Sequence, residues 1–171
     1  MENRQRILET LDSWGVAYRL ITHEAVYTIA DCLRLEGIDW SVTEVPKNVF
    51  LCNRQQTSYY LALLRHDLPF RTAVVSRALG VSRLSFAPED RLPALLGLQA
   101  GAVSPLGLLF DEQKQVTLAM DEGLRAFPYW AMHPCDNTAT VVLRRQDLLE
   151  GYLRRLGRIP IWIQAEGEMR A

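Results

Sequence analysis

Two apolar runs separated by a short polar segment constrain the fold of this chain more than any other feature. The runs VFLC (49–52) and YYLALL (59–64) flank the polar turn NRQQTS. Continuous apolar runs of this length, bounded by turn residues, are typical of strands buried on both faces. Because the connection is short and polar, the two runs are predicted to form a hairpin within a buried sheet.

Helix and strand signals alternate irregularly along the rest of the chain. Helices are predicted for the first 14 residues, Thr28–Leu35, Arg71–Leu79, PEDRLPALLG and Gln146–Leu156. Strands are predicted in VAYRLITH, RLSFA, QVTLAMD, TATVVLR and IPIWIQ, and GAVSPLGLLF is predicted to be a loop feeding a strand. This order lacks the βαβ rhythm of a doubly wound sheet. We expect an α/β fold, with 171 residues in a single domain, a mixed and strongly curved sheet, and a polar C-terminal tail from about residue 165.

Charge and cysteine content exclude several classes of function. The formal net charge is −1, so we expect no DNA partner, and any RNA binding must come from a local basic patch. Cys32, Cys52 and Cys135 are odd in number and widely spaced, which favours buried thiols over disulfides or a zinc site. No apolar run approaches the length of a membrane span, and the N-terminal segment lacks a signal pattern. We therefore expect a cytoplasmic protein with no metal, no cofactor and no membrane partner.

The stretch PKNVFL places a lysine directly before a buried strand. The chain has 19 basic residues, nearly all of them arginine, and Lys47 is one of only two lysines. An ammonium group at such a position must stay in water or contact an anion, because burying it unpaired is costly. Lys47 is either a strand-end lysine whose head reaches solvent or a cationic clamp for a phosphate or carboxylate.

Two further stretches have unusual polar content. GAVSPLG (101–107) has two glycines, a serine and a proline, and is either a plain turn or a loop whose backbone N–H groups bind an oxyanion. HPCDNTAT (133–140) places His133 before a proline and Asn137 in a turn. No acidic residue nearby completes a Ser-His-Asp triad, so spacing alone indicates a hydrolytic or binding cleft.

In this order, PKNVFL, GAVSPLGLL and HPCDNTATVVL resemble the YbaK/aminoacyl-tRNA synthetase-associated family, and within it the free-standing ProX-type prolyl-tRNA editing proteins. HEAVYT (23–28) and LSFAPEDRLPALLG also resemble the family, so the similarity spans about residues 20–163. The resemblance implies a barrel-like mixed sheet flanked by helices. It also implies hydrolysis of alanine wrongly esterified to proline tRNA.

The resemblance also implies roles for particular residues. Lys47, Asn48 and His133 are expected to be catalytic. Lys47 would contact the phosphate or ribose of the tRNA 3′ end, Asn48 would hold the α-amino group or the water, and His133 would line the alanine pocket. The substrate-binding residues are expected to be Gly101, Ala102, Val103, Ser104, Pro105 and Asn137. The sequence departs from the family pattern at Ala102, where serine is expected, and at Cys52-Asn53, where Arg-Asp is expected.

A cluster of arginines along the C-terminal helix is the candidate contact for the tRNA acceptor stem. It comprises Arg144, Arg145, Arg154, Arg155 and Arg158, and the alternative is a solvated basic face. The expected partners are the acceptor end of mischarged tRNA(Pro) and prolyl-tRNA synthetase. Two other functions remain open: deacylation of another small or thiol amino acid, such as cysteine on tRNA(Pro), and non-catalytic binding of aminoacyl-tRNA or an amino acid by a regulator.

Overall fold

The fold is a mixed α/β arrangement of two sheets flanked by short helices. A computed structural model describes residues 2–98 and 101–165. The expected tail beyond residue 165 lies outside the described residues. The α-helices are α1 (Glu2–Ser13), α2 (Ile29–Leu33), α3 (Thr72–Leu79) and α4 (Leu92–Leu96). The strands are β1 (Arg19–Thr22), β2 (Thr43–Glu44), β3 (Lys47–Cys52), β4 (Tyr59–Leu64), β5 (Ser85–Phe86), β6 (Val116–Asp121), β7 (Tyr129–Met132), β8 (Ala139–Arg144) and β9 (Ile161–Ile163).

The strands divide between two mixed sheets. The first has the order β1-β8-β7-β2 and the second the order β5-β3-β4-β6-β9. In the second sheet β3 pairs with β4 antiparallel, from Lys47 opposite Leu64 to Cys52 opposite Tyr59, which confirms the predicted hairpin. β4, β6 and β9 then run parallel. The α/β class is confirmed, although the strands form two sheets and are not closed into one barrel.

The chain crosses between the two sheets at Val45-Pro46. β2 pairs with β7 in the first sheet, and β3 starts directly after Pro46 in the second. Proline has no N–H to give to a sheet ladder, so it suits a point where one pairing ends and the next begins. This crossing places the first residues of β3 beside the end of β7.

Several helix ends follow from their sequences. Thr28 caps α2 by accepting a hydrogen bond from the Asp31 N–H at 3.0 Å. Gly80 ends α3 with φ +70°, a conformation that favours glycine. The predicted helix at Gln146–Leu156 is present as a π-helix over Asp147–Leu153. No helix in the described ranges is long and apolar enough to cross a membrane.

Several segments differ from the sequence prediction, among them the two-residue strand β2, which was not predicted. Residues Pro105–Phe110, predicted to lead into a strand, form a 3₁₀ helix. Ser104 caps this helix and Pro105 begins it, and both residue types favour a helical start over a strand. The strand β7 was not predicted, because its four residues are apolar without alternation and three of them are buried.

The main core lies between the two sheets and beneath α1. Trp130 and Tyr152 are fully buried within it. Their polar atoms are paired: the Trp130 indole N–H donates to the Leu124 carbonyl at 3.2 Å, and the Tyr152 hydroxyl donates to the Leu106 carbonyl at 2.7 Å. These bonds tie the 3₁₀ segment and β7 to the core and fix the surroundings of the site.

Candidate active site

A cavity of about 210 Å³ lies where the chain crosses between the sheets. The first residues of β3, the end of β7 and the start of β8 line it on one side, and residues 26–35 line it on the other. Apolar side chains form most of the wall, and Lys47, Asn48, His133 and Thr140 supply polar groups. A small, largely apolar cavity with a few convergent polar groups is the usual form of a small-molecule site.

Lys47 brings a positive charge to this cavity. Among the described residues that line it, Lys47 is the only lysine, arginine, aspartate or glutamate. Its Nζ donates to the Leu68 carbonyl at 2.8 Å, in the loop that follows β4. An ammonium group has three N–H donors, so this bond fixes the direction of the side chain and leaves capacity for a ligand.

Asn48 contributes an acceptor without a partner. Its Nδ2 donates to the Pro46 carbonyl at 3.1 Å, which sets the orientation of the amide. Its Oδ1 is shielded from solvent and has no hydrogen-bond partner among residues 2–98 and 101–165. Buried acceptors are nearly always paired, so this oxygen is an exception among the described side chains.

His133 is held in one tautomer. Its Nδ1 lies 2.8 Å from the Ala139 carbonyl oxygen, and because a carbonyl can only accept, Nδ1 carries the hydrogen. In the neutral ring, Nε2 is therefore an acceptor, and it lies 3.9 Å from the Cys32 Sγ. Burial is the largest influence on the His133 pKa and lowers it, while the bond to Ala139 opposes the shift. The site thus contains a neutral imidazole.

The lowered pKa of His133 predicts a loss of stability on acidification. In the unfolded chain, histidine takes up a proton near pH 6.5, whereas in the folded protein His133 takes up its proton only at a lower pH. The unfolded state therefore binds more protons below about pH 6.5, and the contribution of His133 to the unfolding free energy decreases as the pH falls. Urea unfolding at pH 7.5 and 5.5 measures the difference. We expect a smaller difference in His133→Gln, and an equal difference in both proteins would contradict the assignment.

The predicted loop at residues 101–105 reaches the cavity with only two of its residues. Gly101, with φ +94°, and Val103 line the wall. The Ser104 hydroxyl is fully buried and accepts from the Leu106 N–H at 3.0 Å, which caps the 3₁₀ helix. Ala102 and Pro105 are buried and do not line the cavity. The side chains of Ala102, Ser104 and Pro105 thus serve the loop itself, and the expected contact of the loop backbone with substrate stays a prediction.

Gly107 in the same segment is required by close packing. A Cβ at this position would lie 2.5 Å from the Leu96 carbonyl oxygen, which is backbone and cannot move aside easily. We expect Gly107→Ala to lower the unfolding free energy by about 1–3 kcal/mol in urea titrations. Gly151→Ala is the control, since its Cβ would meet only the end of the Val16 side chain at 3.1 Å. Equal stability of the two variants would contradict the packing argument.

Asn137 positions the segment that covers the cavity. Its Nδ2 donates to the Val26 carbonyl at 3.0 Å, and the Val26 N–H donates to the Asn137 carbonyl at 3.1 Å. The His23 N–H donates to the neighbouring Thr138 carbonyl at 2.9 Å. Asn137 does not itself line the cavity and holds the covering segment in place, and its expected contact with substrate stays a prediction.

Comparison with known proteins decides the family. The model of the aminoacyl-tRNA editing domain matches residues 23–150, which include every cavity residue described above. The chain belongs to the aminoacyl-tRNA editing domain family. The prolyl-tRNA editing protein ProX of Acetoanaerobium sticklandii is 38% identical over 86% of this chain and 89% of its own length. The resemblance drawn from the ordered motifs is thereby confirmed.

More distant relatives share the domain and the fold. The prolyl-tRNA synthetase associated domain-containing protein 1 of Danio rerio is 29% identical over 92% of this chain and 85% of its own length. A solved structure described as a candidate trans-editing enzyme for prolyl tRNA synthetase superposes with a TM-score of 0.72. It shares 17% identity and covers 96% of this chain and 98% of its own, so it supports the fold alone.

In this editing domain, the predicted arginine cluster does not form a uniform surface. Arg158 is buried, and its Nη2 lies 2.6 Å from an Asp111 carboxylate oxygen, so the prediction that it meets RNA is wrong. Arg145 donates to the Phe127 carbonyl at 2.9 Å. The remaining members of the predicted cluster are exposed: Arg144, Arg154 and Arg155.

The editing-domain cavity also includes residues that sequence reasoning did not select. Tyr27, Cys32, Trp40 and Thr140 line it. The Trp40 indole N–H is buried without a partner among the described residues. Burial raises the Cys32 pKa, so this thiol stays protonated and is a poor nucleophile. The HEAVYT motif indicated the segment that contains Tyr27. No sequence pattern identified any of the four side chains as part of a cavity.

One group of potential metal ligands lies behind Lys47. Atoms of Glu44, His66 and Asp67 lie within 4.8 Å of one another. The buried Glu44 carboxylate already accepts from the His66 Nδ1 at 2.5 Å, from the His66 N–H at 3.2 Å and from the Val45 N–H at 3.0 Å. These hydrogen bonds explain why the three residues lie together, because they anchor the loop that contacts Lys47. We assign no metal to this group.

Proposed function

We propose that this protein hydrolyses the ester bond of alanine wrongly attached to tRNA(Pro). The observation that carries the proposal is the small cavity that a fixed lysine, an asparagine and a histidine with a defined tautomer line together. Membership of the editing-domain family and the likeness to a prolyl-tRNA editing protein support the same reaction.

Each polar group has a role in the proposed reaction. Lys47 contacts the phosphate or ribose of the tRNA 3′ end, where a cation complements the negative charge. Asn48 holds the α-amino group of the amino acid or orders the water. Gly101 and Val103 close the side of the pocket that holds the alanine methyl group.

The hydrolysis itself needs little machinery because the ester is activated. A water oxygen bonds to the carbonyl carbon, the bond from that carbon to the ribose oxygen breaks, and the ribose oxygen takes the proton that the water loses. His133 Nε2 can accept a hydrogen bond from this water and so position it for attack. The products are free alanine and tRNA with an intact 3′ end.

The proposed reaction answers a limit on selection by the synthetase. A synthetase pocket built for proline rejects alanine by only about 1–3 kcal/mol, since a smaller substrate merely leaves contacts unmade. A second site that admits alanine and excludes the proline ring would supply the missing discrimination.

The amino-acid selectivity is tested by single-turnover deacylation of tRNA(Pro) charged with alanine, cysteine or proline. We expect rapid release of alanine and retention of proline. Faster release of cysteine than of alanine would favour the alternative specificity. Retention of all three would favour a binding module without catalysis.

The exposed arginines Arg154 and Arg155 are the proposed contacts for the acceptor stem, together with Arg144. We expect Arg154→Ala/Arg155→Ala to reduce the slope of log Kd against log salt concentration by about 1.5, because each lost phosphate contact removes roughly 0.7–0.9. The control is Arg54→Ala/Arg83→Ala, a pair of arginines exposed elsewhere on the surface. Equal slopes in the two double variants would show that Arg154 and Arg155 do not contact the tRNA.

A further inference from the structure

Tyr27 combines two properties that rarely occur together. Its side chain is 76% exposed, and yet the residue lines the catalytic cavity at its mouth. The preceding residue, Val26, is buried in the wall. An aromatic ring is thus presented to solvent beside a pocket whose other aromatic lining residue, Trp40, is partly buried.

The backbone on both sides of Tyr27 is held in place. On one side, Val26 exchanges hydrogen bonds with Asn137 through both its N–H and its carbonyl. On the other side, the Tyr27 N–H donates to Asp31 Oδ2 at 3.2 Å, and the Asp31 N–H donates to Thr28 Oγ1 at 3.0 Å. A ring carried on a fixed backbone loses little conformational entropy when a flat group binds to it.

We propose that the Tyr27 ring is the stacking surface for the adenine base at the 3′ end of the tRNA. The proposal rests on the function proposed above. The amino acid is esterified to the ribose of the terminal nucleotide, so when the ester lies in the cavity, the base of the same nucleotide lies at the mouth. Unpaired bases bind readily to exposed aromatic side chains, because every base has a flat π-face.

The test compares two esters that differ in the base. One is 3′-O-alanyl-adenosine, and the other is the 2-hydroxyethyl ester of alanine, which keeps a neighbouring hydroxyl group but has no base. We expect Tyr27→Ala to lower kcat/KM for the first by about ten-fold and to leave the second unchanged. Tyr27→Phe keeps the ring and is expected to behave as wild type on both esters.

Phe86→Ala is the matched control. Phe86 is also an exposed aromatic residue, at 66%, but it lies on β5 against Phe70 and does not line the cavity. This variant should leave both esters unaffected. If Tyr27→Ala slows both esters equally, the residue shapes the pocket and the stacking proposal is wrong. Unchanged rates on both esters would also overturn it.

A binding measurement separates this proposal from the proposed function. Titration of the protein with adenosine 5′-monophosphate, followed by the NMR signals of the adenine H2 and H8 protons, requires no hydrolysis. Upfield shifts with the wild type that disappear with Tyr27→Ala would support stacking even if every ester proved stable. Identical shifts with both proteins, or none with the wild type, would overturn the proposal and leave the hydrolytic function to be judged by its own assay.

Discussion

The Lys47→Ala variant is expected to deacylate alanyl-tRNA(Pro) about 10²–10³-fold more slowly than the wild-type protein. Among the described residues, Lys47 supplies the only permanent charge in the cavity wall, and its direction is fixed by the bond to the Leu68 carbonyl. A preorganised charge in a largely apolar cavity contributes more than the same charge in water. Single-turnover rates with saturating protein measure the effect on the bound substrate.

Two further variants make this prediction specific. Lys47→Met keeps much of the length and apolar stem of the side chain without the charge, so it should be nearly as slow as Lys47→Ala. Lys114→Ala removes the other lysine of the chain, which lies outside the cavity, and should retain the wild-type rate. Deacylation by Lys47→Ala within three-fold of the wild type would show that the ammonium group does not assist the reaction.

Arg158→Ala is expected to lower the unfolding free energy by about 3–5 kcal/mol, the largest effect on stability that we anticipate. The side chains of Arg158 and Asp111 are 7% and 1% exposed, and the ion pair spans 2.6 Å. Arg158 also donates to the carbonyls of Val116 and Asp111, at 2.6 and 2.8 Å. Removing the guanidinium leaves a buried carboxylate without its counter-charge.

Arg154→Ala provides the comparison for the buried pair. Arg154 also forms an ion pair, with Glu150 at 2.8 Å, but both side chains are well exposed. Exposed pairs of this kind contribute less than about 1 kcal/mol. In urea titrations, Arg158→Ala should therefore lose several-fold more unfolding free energy than Arg154→Ala. Similar losses in the two variants would contradict the assignment of Arg158 to a buried ion pair.

The sequence predicted the polar residues of the candidate site better than it predicted the other residues that line the cavity. Lys47 and Asn48 were selected from one motif and His133 from another, and the fold brings all three to one cavity. They could be found because a lysine at the start of a buried strand and a histidine before proline are locally unusual. Tyr27 and Trp40 carry no such local signal, and their place in the cavity depends on how the segment of residues 26–40 packs across the sheets.

The errors have a common origin in contacts between distant parts of the chain. Arg158 was assigned to an exposed face from its neighbours in sequence, whereas its burial is decided by Asp111, 47 residues away. Ser104 was placed in a substrate-binding loop without a role for its hydroxyl, which caps the 3₁₀ helix that follows. Local patterns predict elements well and predict the partners of polar side chains poorly.

The most direct test of the whole account is the release of free alanine from purified alanyl-tRNA(Pro), measured beside alanyl-tRNA(Ala) under the same conditions. We predict rapid release from the first and slow release from the second, since both carry the same ester and only the tRNA differs. Stable alanyl-tRNA(Pro) that nevertheless binds the protein would contradict the hydrolytic function, and the cavity around Lys47 would then be a binding site without a reaction.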